Sequence, residues 1–149
     1  MKRPKDLLGR VGGALKRGGV FVVHEYFDYS TWRVSPRSPD LEQFVSEVME
    51  SWRASGGEPD IGLDLPVWLE ELGFEIKTLR PIVDVIRPSD FTWEWPKAFI
   101  DVGVRRLVDL GHMTEGRAQA IKAALASAET TPHAIMITPA VLEIIAIRR

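Results

Sequence analysis

His24, Glu25 and Tyr26 stand in a row at the end of an apolar run, Val20-Phe21-Val22-Val23, and their types suit chemistry. An imidazole titrates near neutrality, so His24 could act as a general base toward a nucleophile held in line with its target. Adjacent residues on a strand point to opposite faces, so His24 and Glu25 cannot both aim at one substrate. The structural alternative is that one packs under a helix and the other caps a nearby loop. Tyr26, Phe27, Tyr29 and Trp32 follow, and Phe91, Trp93 and Trp95 form a second aromatic cluster. Two such clusters could line an apolar pocket, with Tyr and Trp adding a polar handle, or embrace a cation. Core packing between the two segments accounts for them equally well. Trp52 and Trp68 fall on helical stripes and read as core.

Other chemistries find no support. His24, His112 and His133 are far apart, with no His-x-x-x-His or His-Glu spacing, so no metal site is expected. No Gly-x-Ser-x-Gly elbow supports a serine hydrolase. The absence of cysteine removes disulfides, thiolate catalysis and Cys-ligated zinc, and fits an intracellular protein. A formal net charge of -2 supplies no basic field for nucleic acid, and the pairs Arg105-Arg106 and Arg148-Arg149 read as solvated. Met1-Lys2-Arg3 is basic but no signal-peptide apolar core follows. The apolar stretch from Ala134 to Ile147 is interrupted by Thr138, Pro139 and Glu143, so no membrane span is expected. These features predict a cytoplasmic protein with no nucleic-acid or membrane partner.

The elements that must carry the candidate residues are legible from periodicity. Leu7, Leu8, Val11 and Leu15 recur at helical spacing, and Gly18-Gly19 stop that helix. Val20 to Val23 is apolar at every position, as in a strand covered on both faces. Tyr26 to Pro39 has no period and reads as a loop. Leu41, Phe44, Val45, Val48, Met49 and Trp52 make one helical stripe, capped by Ser38 with Pro39 at the first position. Asp64 caps a short helix through Leu65, Trp68, Leu69 and Leu72, closed by Gly73. Phe74 to Leu79 alternates as a half-exposed edge strand does. A helix is expected over Pro96 to Leu110, and another after Thr114 with Ala118, Ile121 and Leu125 inward. Ala134 to Ile147 reads as a final strand bent at Pro139. The order is α/β, within the 149 residues of one domain.

Three segments carry a resemblance. Leu15-Lys16-Arg17-Gly18-Gly19 before Val20-Phe21-Val22-Val23 resembles a turn into a fifth strand, with Arg17 where proline is usual. Leu65-Pro66-Val67-Trp68-Leu69-Glu70-Glu71-Leu72-Gly73-Phe74 resembles the helix and glycine leading into a sixth. Leu142 to Arg149 resembles a closing seventh strand. In this order they are similar to the C-terminal half of a class I S-adenosylmethionine-dependent methyltransferase. The resemblance implies a partial Rossmann-like fold: a small mixed sheet with strands near 19–25, 74–80 and 134–148, helices, and a helical insertion at 88–132 of the kind that forms substrate lids. It implies methyl transfer from S-adenosylmethionine to a small organic acceptor. His24 is then the candidate base, and Glu25, Tyr26, Tyr29, Trp93 and Trp95 face the acceptor, the insertion packing over the first strand.

The sequence departs from that family where the cofactor binds. The glycine-rich loop after strand one and the acidic end of strand two are missing, and Gly9-Arg10-Val11-Gly12-Gly13 lacks the Gly-x-Gly core and follows no strand. The chain by itself is expected to be inactive. In the family the Val20–Val23 strand lies between the fourth strand and the terminal one. With no fourth strand here, one of its edges is open to a second copy or to a partner chain. The rival reading is a non-catalytic interaction domain pairing with a chain that carries the cofactor half.

Overall fold

The computed structural model describes residues 3–149. Five α-helices and six strands follow one another: α1 (Pro4–Ala14), β1 (Val20–Asp28), β2 (Arg33–Ser35), α2 (Pro39–Ala54), α3 (Leu65–Glu71), β3 (Phe74–Ile82), β4 (Val85–Ile86), α4 (Glu94–Asp109), α5 (Glu115–Thr130), β5 (Ile135–Ile137) and β6 (Ala140–Arg148). They form two compact units, one from the chain up to Tyr29 with Arg53–Ile82 and Ala140–Arg149, the other from Ser30–Trp52 and Val83–Pro139.

The first unit is built on a sheet of order β1-β6-β3, in which β6 runs antiparallel to both neighbours. One face carries Phe21 and Val23 of β1, Ile144 and Ala146 of β6, and Phe74 and Ile76 of β3, packed with Leu8 of α1 and Leu65 and Leu69 of α3. Leu69, Phe74, Ile144 and Ala146 are fully buried, and each large apolar side chain so placed stabilises by about 1.5–3 kcal/mol. The turn from α3 to β3 depends on Gly73. Its φ of 83° is in the left-handed region that glycine adopts without a Cβ clash, and its N–H donates to Glu70 O at 3.0 Å. Arg148 on β6 closes the same corner, donating to Leu72 O with its guanidinium 5.6 Å from the Phe74 ring centroid.

The second unit joins a sheet of order β2-β5-β4, also antiparallel throughout, to α2, α4 and α5. The apolar stripe of α2 is buried as its period predicts, and Ser38 caps it through a 3.5 Å bond from Leu41 N–H. Thr114 caps α5 by accepting from Arg117 N–H at 3.2 Å. Trp32, Phe44 and Trp52 meet Phe99 edge to face, and Trp32 also meets Phe44.

Five expectations are corrected. The strand expected over 134–148 is two strands in different sheets. Thr138 is buried, its hydroxyl accepts from Asp84 N–H at 3.0 Å and its carbonyl accepts from the Thr31 hydroxyl at 3.0 Å, so β5 is tied to the second unit before Pro139. The small mixed sheet is replaced by two purely antiparallel ones, since β6 opposes both neighbours. The stretch over 26–39 contains the end of β1 and all of β2, because pairing with β6 continues to Asp28. Val20 and Val22, expected under cover, are 57% and 53% exposed. Asp64 stands at the start of α3, but its side chain makes no capping bond.

Candidate functional site

Because β1 runs to Asp28, His24 lies in mid-strand rather than at its tip, opposite Glu143 of β6, which is opposite Arg80 of β3. Register therefore aligns three polar side chains across all three strands. His24 Nε2 is 2.9 Å from Glu143 Oε2, and Arg80 Nε donates to Glu143 Oε1 at 3.0 Å. The hydrogen bonds from His24 and then from Arg80 hold the Glu143 carboxyl below the usual carboxylate range. An ionised carboxylate only accepts, so His24 Nε2 donates to Glu143, and in a neutral ring Nδ1 is then the acceptor. The row can thus orient an imidazole whose second nitrogen is able to take a proton.

Tyr26 shares the face of His24, two residues along the strand, while Glu25 points to the other side. The Glu25 carboxylate turns back to accept from Tyr26 N–H at 3.0 Å. The Tyr26 and Tyr29 ring centroids are 4.5 Å apart, and Tyr29 N–H donates to Asp60 Oδ1 at 3.1 Å. Burial, and next the neighbouring Tyr26, push the Tyr29 hydroxyl far above the ordinary tyrosine range. Tyr29 therefore remains a neutral hydroxyl. The turn Ile61–Leu63 closes over this end of β1 through Gly62, where an added Cβ would lie 2.6 Å from Tyr26 O.

His24, Glu25, Tyr26 and Tyr29 thus belong to the first unit, and Trp93 and Trp95 to the second. Trp93 is 1% exposed and its Nε1–H donates to Glu129 Oε1 at 3.1 Å, the oxygen that also meets Lys97 Nζ at 3.0 Å. It packs as a core residue of its unit, whereas Trp95 is 38% exposed. A cleft of about 130 Å³ between α4 and α5, lined by Arg105, Asp109, Glu115 and Lys122 among others, contains none of the predicted residues. Sequence reasoning missed Glu143 and Arg80. A charged residue interrupting the apolar β6 was the available signal, but its partners depend on strand register.

The Gly9–Gly13 segment does not form a nucleotide-binding loop. Gly9, Gly12 and Gly13 lie inside α1, where their backbone groups serve the helix. Gly12 faces the Phe74 ring, with an added Cβ 3.1 Å from Phe74 Cε2, so that glycine is needed for helix packing. Among the described residues no three His, Asp or Glu side chains gather as a metal site, and no helix is long and apolar enough to cross a membrane.

No family model matches this sequence, and no curated protein matches it. Among solved structures, a "putative methyltransferase" from Bacillus halodurans C-125 is similar with a TM-score of 0.48 and 13% identity. The match covers 100% of this chain and 65% of the other, so the chain spans less than two thirds of that protein's length.

Proposed function

We propose that this chain is the acceptor-side portion of a class I S-adenosylmethionine-dependent methyltransferase, with a partial Rossmann-like fold, acting on a small organic molecule. The observation that carries the reading is the place of the terminal strand. β6 pairs antiparallel with β1, the neighbour that the sequence resemblance assigns to it, and the Leu15–Gly19 and Leu65–Gly73 segments lead into β1 and β3 in the expected order. The cofactor would be held by residues other than these, since Gly9, Gly12 and Gly13 are helical. Within the chain, Glu143 holds the His24 ring so that Nδ1 can take the proton of the acceptor's nucleophilic atom, and Tyr26 and Tyr29 supply the adjoining aromatic wall.

Calorimetric titration of the purified chain with S-adenosylmethionine tests the reading. Binding weaker than micromolar, or none, is expected. Micromolar binding by this chain alone would overturn the division of labour. The coding sequence just upstream is the second test: a glycine-rich loop in frame is expected, and a stop codon there with a separate partner would favour the non-catalytic interaction domain.

A further inference from the structure

The edge of β1 away from β6 has a hydrogen-bonding pattern that can be read residue by residue. Arg148 N–H donates to Gly19 O at 2.9 Å. By the alternation of an antiparallel ladder, Phe21, Val23 and Glu25 then direct their backbone groups at β6, while Val20, Val22 and His24 direct theirs outward. β1 is terminal in its sheet, so this outward row has no strand beside it among the described residues. The row ends at Tyr26, whose outward N–H is taken by the Glu25 carboxylate. What is left is a short template flanked by valines that are more than half exposed.

We propose that this edge pairs with the same edge of a second copy, antiparallel about a two-fold axis at Val22. Five registers, centred on Val20, Phe21, Val22, Val23 or His24, keep outward groups opposite outward groups. Those centred on Phe21 and Val23 leave only the Val20–Val22 or the Val22–His24 contacts, with four backbone hydrogen bonds between free outward groups of the strand. Centred on His24, the two imidazoles face each other and the occupied Tyr26 N–H is required. Centred on Val20, His24 and Val22 fall opposite 16–18, which form a turn and not a strand. Centred on Val22, Val22 meets Val22 of the other copy and Val20 meets His24, with six backbone hydrogen bonds. On the opposite face Phe21 meets Val23, an aromatic–β-branched pair. Charge is complementary at both ends, because antiparallel pairing sets the basic turn at Lys16-Arg17 of each copy toward the Asp28 end of the other's β1. No proline or unpaired charge interrupts the row to deter pairing. The pairing stands on strand geometry and not on the methyltransferase reading. A strand of a cofactor half would compete for the same edge.

Sedimentation of the full chain tests this. The wild type is expected at two chain masses, dissociating on dilution. Val22→Lys and Val22→Glu, at an exposed side chain, place like charges across the axis and are each expected at one chain mass. Mixed in equal amounts they are expected to return to two. The chain lacks cysteine, so Val22→Cys supplies an independent check. Opposed Cα atoms about 5.5 Å apart suit a disulfide, and oxidation should cross-link this variant but not Val67→Cys, an exposed control on α3. A monomeric wild type at all concentrations, no restored dimer in the mixture, or no preference for the Val22→Cys cross-link would each overturn the proposal. None of these results bears on cofactor titration.

Discussion

Tyr29 makes the packing at the end of β1 measurable. It is 3% exposed, and burial holds its hydroxyl protonated well above the ordinary tyrosine value. The unfolded chain releases this proton near the ordinary value of about 10. The native state therefore binds more protons than the unfolded state above that pH. Stability is fully present below the ordinary value and falls as pH rises beyond it, by about 1.4 kcal/mol per pH unit for one group. Between about pH 10 and 11.5 the loss attributable to Tyr29 is about 2 kcal/mol. The assay is urea unfolding followed by tryptophan fluorescence, in the wild type and in Tyr29→Phe. Removing the hydroxyl should cost about 1 kcal/mol at neutral pH, but the variant should lack this part of the alkaline decline. Lysine and arginine titrations are common to both proteins, so the difference between the two curves isolates Tyr29. The chain has only two tyrosines, Tyr26 and Tyr29, so tyrosinate absorbance can be followed in parallel. Parallel pH profiles for the two proteins, or ionisation of both tyrosines near the ordinary value in the native state, would refute the reasoning.

Gly103→Ala tests the contact of α4 with α2. The new Cβ would lie 2.7 Å from Phe44 Cζ, and Phe44 is fully buried among aromatic rings that block its retreat. Overpacking of about 1–3 kcal/mol should outweigh a helix-propensity gain of about 1 kcal/mol, while Gly13→Ala, with open space around it, should stabilise. A Gly103→Ala protein with a raised melting temperature would disprove the close approach. Glu143→Gln tests the polar row. Because the folded-state pKa of Glu143 is depressed, its contribution is present above the ordinary carboxylate value and lost as pH falls through the lower folded one. The variant should therefore show a shallower acid decline in melting temperature, and superimposable profiles would count against the row.

Much of the local structure was legible in the sequence for a direct physical reason. The stripe from Leu41 to Trp52, the Ser38 and Thr114 caps and the glycine after α3 are short-range signals, and each operates as expected. Strand pairing was less accessible. β2, β4 and β5 have two or three residues each, too few to show a period, and they exist because they pair with one another. Thr138 and Pro139 could be read as a bend, but only hydrogen bonds to Asp84 and Thr31 assign the two sides to different sheets. The candidate base shows the same division. His24 could be named from its type and from the strand before it. Its partner could not, because Glu143 lies 119 positions away and meets it through the register of β6, which then brings Arg80 to the same carboxylate. Periodicity and capping depend on neighbours within a few residues of the chain. A site assembled across three strands depends on which backbone groups pair, and that is settled when the whole sheet closes over Phe74 and Ile144.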